Sequence, residues 1–344
     1  MHVAYLLDAA PLFGGVKVVL QQANLLTRRG HRVTVVCPGE APDWFPLEAE
    51  LRRPPGLGRD DLPAADVTVA TYWTTIPRAL EGARGAVVHY CQGFEGHYTH
   101  NRPEHAAIAD AYRAPVPAMA VAPHLVRLLA DRFGRPARVV PQPLEPFFHP
   151  PRFFSWRRLR PRRRPRVLVT SPFEIDWKGV RTALEAIVEL RRRGGDCVLV
   201  RLSQWPLSAA ERAVVEPDEF HEHLPPHQVP RLVRSCDLLL APSWEQEGFG
   251  LPALEAMACG VPVIASDVSC FRDWTAGAAR LVPSDDPRTL AAAAAEVLGD
   301  PRRWRELRRR GLRVARGFGE ERSAEVAEDV LRWVASGDWR RELG

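Results

Sequence analysis

Short apolar segments rich in β-branched residues alternate with amphipathic helical segments along nearly the whole chain. This rhythm is typical of α/β layers in which crossover helices join parallel strands. Helices are predicted in the first half at Val16–Arg28 and Leu125–Phe133, where apolar residues recur at helical spacing. Strands are predicted there at His2–Leu7, Arg32–Val36, Val67–Thr71, Ala86–Tyr90, Ala118–Val121 and Val139–Val140.

The second half repeats this alternation. A single core rarely grows past about 250–300 residues, so a chain of 344 residues with a repeated pattern predicts two α/β domains. Strands are predicted in the second half at Arg166–Thr170, Cys197–Leu202, Leu238–Ala241 and Val261–Ala265. Helices are predicted at Val180–Arg192, Pro230–Arg234, Leu251–Ala258, Pro287–Leu298, Arg302–Arg316 and Ser323–Ser336. Trp304 and Trp333, on the last two of these helices, are expected to be core anchors.

A stretch rich in proline and arginine separates the halves, from Pro141 to Arg166. Proline fixes φ and cannot extend a helix or a sheet ladder, so the stretch predicts a stiff connector. We expect an N-terminal domain over residues 1–150, a linker over 151–165 and a C-terminal domain over 166–322. Ligands of open α/β sheets bind beyond the carboxyl ends of the strands, so two facing sheets would place a site in the cleft between them.

The chain carries a formal net charge of +5, and much of its basic character lies in the run Arg157–Arg166. Such a run can bind an anionic surface, or it can be a solvated linker. Because no nucleic-acid motif and no interleaving of basic with aromatic residues accompany it, we expect no nucleic-acid partner. Peripheral contact with an anionic membrane stays open, and the sequence does not set the oligomeric state.

Membrane spans, disulfides and metal sites are not expected. No apolar run reaches the roughly 18–20 residues that cross a bilayer, and Asp8 interrupts an N-terminal segment that we interpret as a strand rather than a signal peptide. The six cysteines form no C-x-x-C pair, which favours reduced core thiols in a cytoplasmic protein. A D-x-D motif is absent from the sequence and the cysteines and histidines form no clustered ligand set, so neither a metal nor a cofactor is predicted.

The most specific segment is Leu238–Gly260, where an apolar strand runs into a loop bearing Gly248 and Gly250 and then into a helix. Glycines let the backbone approach a ligand closely, and a helix start favours an anion such as phosphate. Glu247 in the loop and Glu255 about one turn inside the helix are placed to accept hydrogen bonds from sugar and ribose hydroxyls. The alternative is a strand–loop–helix whose glycines serve only the turn.

The string EGFGLPALEAMACGVPVIAS, which begins at Glu247, resembles the motif of glycosyltransferase family 4, in which seven residues separate two glutamates. Members are retaining enzymes with two facing Rossmann-like α/β domains, the GT-B architecture, and a C-terminal helix that crosses back. The resemblance implies that Glu255 holds the donor ribose and that Glu247 lies near the donor hexose. The backbone amides implied to face phosphate or sugar are those of Phe249, Gly250 and Leu251.

The resemblance extends to positions outside this string. It implies that Lys178 lies on the donor diphosphate, with an exposed surface lysine as the alternative, and that segment 323–344 packs back on the first domain. Gly15, after the first strand, lets backbone N–H groups approach phosphate or acceptor, or it serves a tight turn. Relatives carry an arginine shortly before the lysine, whereas this chain has Ser171-Pro172-Phe173-Glu174 there. Arg201 is a candidate to compensate.

Gln92 stands where many family members have a histidine near the reacting sugar. Its amide can hydrogen-bond a hydroxyl but cannot titrate near neutral pH. His89 falls in or near a strand and is expected in the core. The spacing of Tyr90, Gln92 and Glu95 resembles a subset that includes rhamnosyltransferases, which makes Glu95 an acceptor candidate. Trp73 follows a strand and either lines the acceptor site or packs in the core.

We therefore expect a retaining transferase that moves a hexose or deoxyhexose from a nucleoside-diphosphate sugar to a glycan, lipid-linked or small-molecule acceptor, without a metal. One alternative is a non-catalytic binding protein on the same scaffold, suggested by the replacement at Gln92 and by the missing arginine near Ser171-Pro172. A second is a sugar-nucleotide epimerase or a phosphorylase. The predicted catalytic residues are Lys178, Glu247 and Gln92. The predicted donor-binding residues are Gly15, Lys178, Gly248, Phe249, Gly250, Leu251 and Glu255.

Overall fold

The computed structural model describes residues 1–151 and 160–343, and the contacts within it divide the chain into two compact units. The first unit contains Met1–Pro143 and Phe318–Gly344, and the second contains Leu144–Gly317. The predicted linker 151–165 and the run Arg157–Arg166 therefore lie partly outside the described residues.

A parallel sheet forms the centre of the first unit. Its strands are β1 (His2–Leu6), β2 (Arg32–Val36), β3 (Glu50–Arg52), β4 (Val67–Ala70), β5 (Ala86–Cys91), β6 (Ala118–Ala120) and β7 (Ala137–Val139). Its helices are α1 (Gly14–Arg28), α2 (Thr75–Gly82), α3 (His105–Tyr112) and α4 (Pro123–Phe133). Within residues 1–151 the seven described strands run in the order β3-β2-β1-β4-β5-β6-β7, all parallel. Val3 to Leu6 are fully buried, as expected for a central strand covered by helices on both faces.

The second unit repeats this plan. Its strands are β8 (Arg166–Thr170), β9 (Val198–Ser203), β10 (Glu219–Glu222), β11 (Leu238–Ala241), β12 (Val263–Ser266) and β13 (Ala279–Val282). Its helices are α5 (Val180–Arg192), α6 (Ala209–Val214), α7 (Val229–Arg234), α8 (Leu251–Cys259), α9 (Ser269–Thr275), α10 (Pro287–Gly299) and α11 (Pro301–Ala315). Within residues 160–317 the described strands are all parallel, in the order β10-β9-β8-β11-β12-β13.

The apolar faces of α5 and α10 cover one side of the second sheet. Leu184 and Ile187 of α5 belong to one buried cluster with Leu199, Leu238 and Ile264 of the strands. Trp304 of α11 completes this cluster, and its indole nitrogen donates to the Asp237 carbonyl at 2.7 Å. The prediction that Trp304 is a core anchor is confirmed.

The last helix, α12 (Glu320–Ser336), packs on the first unit, against α1. Arg29 donates to Glu328 at 2.8 Å, and Gln21 donates to Glu320 at 3.0 Å. Trp333 is buried, as the sequence predicts for a core anchor. This helix therefore joins the N-terminal fold from the far end of the chain.

Residues just before the predicted linker pack on the second unit rather than on the first. Arg234 of α7 donates to the carbonyls of Phe147 and His149 at 3.1 and 3.3 Å. The contacts therefore place the boundary after Pro143, whereas the sequence places it at residue 150.

Two sequence-based exclusions concern membranes and cysteines. None of the helices in the described ranges has the length and apolarity that a membrane crossing requires. All six cysteines are unpaired and buried, which confirms the prediction of reduced core thiols.

Candidate functional site

Each sheet has one point at which the strand order reverses, and ligands of open α/β sheets bind at such points. In the second sheet this point lies between β8 and β11, which are hydrogen-bonded neighbours. The loop after β8 carries Lys178, and the loop after β11 carries Glu247. The topology thus brings together two residues that are 69 positions apart in the sequence.

Lys178 and Glu247 form a close ion pair. The Lys178 Nζ atom lies 2.8 Å from Glu247 Oε2 and 3.1 Å from Oε1. The lysine side chain is 21% exposed and the glutamate side chain 7% exposed. The ammonium also lies 4.2 Å from the centre of the Trp177 ring, a cation–π distance. Lys178 is therefore held in one position with part of its surface open.

The pKa of Glu247 reports the strength of this pairing. Burial raises the pKa of the Glu247 carboxyl, but the charge and hydrogen bonds of Lys178, together with bonds from Ser243 and the Phe249 backbone, lower it overall. The net pKa lies below the ordinary glutamate value of 4.5. Glu247 is thus a carboxylate at neutral pH, although it is almost fully buried.

Backbone contacts clamp the two loops against each other. The residues Asp176–Lys178 form a 3₁₀ turn, and Gly179 follows with a φ of +65°. A Cβ atom on Gly179 would lie 2.1 Å from the Pro242 carbonyl oxygen, so only glycine fits. The Trp244 N–H donates to the Trp177 carbonyl at 2.8 Å. Glycine at position 179 is thus required by the packing of the loops.

Helix α8 begins directly after the Glu247 loop. Its N-cap residue is Gly250, with a φ of +82°, and a Cβ there would lie 2.4 Å from the Phe271 ring. Pro252 occupies the first turn, as predicted, and within the described residues no side chain caps this helix start. The amide groups of such an end, with the positive pole of the helix dipole, favour an anion.

The Phe249 side chain faces the interior. Its ring stacks on Trp274 with centroids 4.8 Å apart and planes at 7°, and the Trp274 indole donates to the Phe249 carbonyl at 2.9 Å. These contacts fix the loop shape from below, so only the Phe249 backbone can take part in binding. Trp274 is a supporting residue that no sequence signal identified.

The other predicted donor residues lie on the same strand–loop–helix. Gly248 is buried, whereas Leu251 and Glu255 are half-buried. Glu255 lies one turn inside α8, as the sequence predicts. Among the described residues, no group of three or more His, Cys, Asp or Glu side chains is arranged to hold a metal ion.

Arg201 is not available to bind phosphate, which corrects the suggestion that it replaces the usual arginine. It is fully buried and pairs with the buried Glu211 at 2.5 Å. It also donates to the carbonyls of Val169 and Ser171 at 2.7 and 2.9 Å. Ser171 has a φ of +86°, so the guanidinium supports the strained start of the loop that leads to Lys178.

In the first unit the reversal lies between β1 and β4, and Gly15 and Trp73 follow these two strands. The Gln92 side-chain amide donates to the Gly15 carbonyl at 3.0 Å. The structure therefore brings Gly15 and Gln92 together. Trp73 is half-buried, and its ring lies 6.2 Å from that of Tyr72.

The geometry of Gly15 argues against a purely structural role. Gly15 lies in the first turn of α1 and is exposed. A Cβ atom there would meet only the Gln92 amide, at 3.5 Å, which is an ordinary contact. Neither backbone strain nor close packing requires glycine at this position. An alanine methyl group would therefore fit against the Gln92 amide.

Glu95 is buried rather than displayed to solvent. Its carboxyl accepts a hydrogen bond from the Tyr112 hydroxyl, and Asn101 donates to the Glu95 carbonyl at 3.1 Å. Burial raises the pKa of Glu95 to about 7. The structure therefore places the predicted acceptor residue in the support of the loop after β5. His89 is fully buried, as expected, and burial together with the nearby Arg135 lowers its pKa.

Part of the basic run Arg157–Arg166 is described, and three of its described arginines are engaged. Arg162 pairs with Asp237 at 2.7 Å, and Arg164 pairs with Asp196 at 2.9 Å. Arg166 pairs with Glu219. These contacts fasten the described part of the run to the second unit. Arg157 and Arg158 lie outside the described residues.

The second unit matches a known protein family. Residues 164–300 fit the family model for glycosyl transferases of group 1, and the match contains β8, β11, α8 and both members of the Lys178–Glu247 pair. The matched residues make up about 40% of the chain, so the likeness is to a group 1 glycosyltransferase domain over residues 164–300. The match to this domain agrees with the family resemblance carried by the string that begins at Glu247.

Curated relatives are similar over part of this chain. The D-inositol 3-phosphate glycosyltransferase of Kineococcus radiotolerans is 41% identical over 109 residues, or 29% of this chain. The protein of the same name from Nocardia farcinica is 33% identical over 186 residues, or 53% of this chain. These alignments span only 25% and 40% of the lengths of the two relatives.

A solved structure resembles the whole chain. Anabaena HepE in complex with UDP-glucose gives a TM-score of 0.76 at 14% identity and covers 96% of this chain and 99% of that chain. At this identity the likeness shows the fold alone. With the two parallel sheets described above, it confirms the predicted pair of Rossmann-like domains of the GT-B class.

Replacing Lys178 by methionine should destabilise the protein in a pH-dependent way. The lowered pKa of Glu247 in the native protein means that the ionised pair stabilises the fold above about pH 4.5 and is lost as the pH falls through the lowered value. Without Lys178, the effect of burial on the Glu247 carboxyl dominates and raises its pKa. At pH 7 its negative charge would then be buried with no cation beside it. We expect K178M to cost about 2–3 kcal/mol at pH 7, somewhat below the usual penalty for a broken buried pair because Lys178 is partly exposed. Urea unfolding measures the loss of free energy of unfolding at pH 7 and at pH 4.

The loss should be smaller at pH 4, where the Glu247 carboxyl of the variant is protonated. The double variant K178M/E247Q is the control, because it removes the titrating group and should show no such pH dependence. An equal loss at both pH values in K178M would contradict the coupling of Lys178 to Glu247.

Alanine at Gly15 and at Gly250 should have opposite effects on stability. Gly15→Ala adds a methyl group at a helical position with free space, so stability should be unchanged or rise by up to about 1 kcal/mol. Gly250→Ala combines a positive φ with a clash against Phe271, and it should cost about 1–3 kcal/mol. Thermal unfolding of both variants tests this. Destabilisation by Gly15→Ala as large as that by Gly250→Ala would show that Gly15 has a structural role.

Proposed function

We propose that this chain is a retaining glycosyltransferase that moves a hexose or deoxyhexose from a nucleoside-diphosphate sugar to a glycan, lipid-linked or small-molecule acceptor, without a metal. The observation that carries the proposal is the Lys178–Glu247 pair at the strand reversal of the group 1 domain, beside the start of α8. The names of the relatives support sugar transfer, and the UDP-glucose complex of HepE supports a nucleotide-sugar donor.

The donor diphosphate would bind between Lys178 and the start of α8. An ammonium group has three N–H donors, and Glu247 accepts from two of them at most, so one is left for a phosphate oxygen. The α8 dipole adds favourable potential at the same place. Glu255, one turn further along α8, would accept hydrogen bonds from the ribose hydroxyls. The dipole and Lys178 would neutralise charge that other transferases neutralise with a divalent metal.

Glu247 would have two tasks. Its ionised carboxylate orients Lys178, and its remaining lone pairs would accept hydrogen bonds from donor sugar hydroxyls. Burial makes such bonds stronger than in water, because the local dielectric is lower. A carboxylate held this way orients the sugar without reorganisation during the reaction.

Group transfer would follow the same-face course that the family resemblance implies. The bond between the anomeric carbon and the diphosphate oxygen breaks, and the acceptor oxygen forms a new bond to that carbon. The acceptor proton passes to an oxygen of the departing nucleoside diphosphate. Lys178 and the α8 amides stabilise the negative charge that develops on the leaving group. The protein contributes orientation and electrostatics rather than a covalent nucleophile.

The first unit would supply acceptor-side groups. Gly15 leaves space at the start of α1, and Gln92 lies against it with its amide oriented by the Gly15 carbonyl. The half-buried Trp73 follows the neighbouring strand and offers an apolar surface for a sugar ring. Glu95 would act through the loop it supports. Peripheral contact with an anionic membrane would bring a lipid-linked acceptor near.

A non-catalytic nucleotide-sugar-binding protein is the second candidate. The observation that favours it is the loss of the expected arginine without replacement by Arg201, which is committed to Glu211. A site with one cation stabilises a bound diphosphate more easily than it stabilises a departing one. Donor binding without any donor turnover would support this candidate.

Glu255→Ala should weaken donor binding while the fold survives. Loss of hydrogen bonds to two ribose hydroxyls should reduce affinity by about tenfold to a hundredfold. A thermal-shift screen of UDP-, GDP-, ADP- and dTDP-sugars first identifies the donor, because binding to the native state raises its apparent stability. Calorimetry with that donor then compares the variant with the native protein.

Glu185→Ala is the matched control, since Glu185 is an exposed glutamate on α5 of the same unit. It removes the same charge and should leave donor affinity unchanged. Full donor affinity and turnover in Glu255→Ala would contradict the site assignment. Turnover is measured as release of nucleoside diphosphate.

A further inference from the structure

Helix α11 carries a row of exposed arginines on one side. Successive residues of an α-helix turn by about 100°, so these positions fall within an arc of about 80°. The row extends about 21 Å along the helix axis, at 1.5 Å per residue. Arg316 extends it because it follows the last residue of α11 in a helical conformation. The members of this arginine row are Arg302, Arg305, Arg309, Arg313 and Arg316, all exposed.

The arginine row is not neutralised within the described chain. None of its five guanidinium groups forms an ion pair or a side-chain hydrogen bond with a described residue. Nearby acids are taken by other arginines: Arg303 pairs with Glu296, and Arg310 pairs with Glu306. Arg303 and Arg310 are therefore paired, whereas the five arginines of the row are unpaired in the part of the chain that the structure describes and lie along one line of the helix.

The opposite side of α11 is anchored in the core, so the row cannot turn away from solvent. Trp304 is 4% exposed and donates its indole N–H to Asp237. Gly311 packs against Met257 of α8, where an added Cβ would lie 3.0 Å from the methionine side chain. A fixed, straight row of five charges is thus a permanent feature of this surface.

We infer that the arginine row is an electrostatic docking surface for an anionic lipid bilayer. The outer face of a helix is convex and cannot enclose a small anion, but it can lie along a plane that presents many phosphates. The aromatic residue of α11, Trp304, is buried on the opposite side of the helix, so the row offers bases no stacking surface, which disfavours single-stranded nucleic acid. The apolar face of α11 is already buried, so binding would rest on charge alone and would fall steeply with salt.

This inference differs from the membrane contact suggested by Arg157–Arg166. In that run the arginines at 162, 164 and 166 are already paired with carboxylates. On α11, by contrast, all five arginines of the row lack such a partner among the described residues. The docking surface does not depend on the proposed transfer reaction, because α11 lies outside the Lys178–Glu247 site.

Co-sedimentation with lipid vesicles tests the inference. The full chain should bind vesicles that contain phosphatidylglycerol, should not bind pure phosphatidylcholine, and should be released by high salt. Replacing the three central arginines, in R305Q/R309Q/R313Q, should reduce binding by about a hundredfold, since each cation near an anionic surface contributes about 1 kcal/mol. The corresponding lysine variant should restore most of the binding, because charge is what matters.

The matched control is R78Q/R113Q/R212Q. It removes the same net charge from exposed arginines that are paired with Glu81, Asp110 and Glu216. Circular dichroism and thermal unfolding confirm that both variants are folded. Equal losses in the two triple variants would overturn the inference in favour of net charge. Binding to RNA or DNA that depends on the row, with no binding to anionic vesicles, would overturn it in favour of nucleic acid.

Discussion

The ion pair between Lys178 and Glu247 is the contact on which the candidate site depends. It joins the loops after two neighbouring strands at the place where the strand order of the second sheet reverses. Each partner is costly to bury alone, and each holds the other in position. Because the carboxylate is ionised and the ammonium is partly exposed, the pair offers both a cation and hydrogen-bond acceptors to a ligand that carries phosphate and hydroxyls.

Two glycines make this pairing possible. Gly179 allows the lysine loop to touch the Pro242 carbonyl, and Gly250 allows α8 to begin directly over the Phe271 ring. Larger residues would push the loops apart and separate the ion pair from the helix start. Beneath them, the stacked Phe249 and Trp274 rings and the buried Arg201–Glu211 pair support the loops from the core. The positions of the Lys178 and Glu247 loops thus depend on packing in the core beneath them.

The candidate site could be predicted from the sequence because its residues lie in one short segment with strong local signals. The glycine-bearing loop, Pro252 and the two glutamates lie within one strand–loop–helix, and α8 begins at Leu251 as predicted. The edge strands β3, β10 and β13 escaped prediction, since each has three or four residues and borders only one neighbour. The roles of Arg201 and Trp274 also could not be read from sequence. Their partners are fixed by tertiary packing, not by spacing.

The most direct measurement is a crystal structure of the chain with the nucleoside diphosphate that gives the largest thermal shift. The account predicts the diphosphate at about 3 Å from the Lys178 ammonium and at the amides that begin α8, with ribose hydroxyls on Glu255. The Lys178–Glu247 contact should persist or lengthen to admit a phosphate oxygen. A nucleotide bound elsewhere, with this pair and the start of α8 unoccupied, would contradict it.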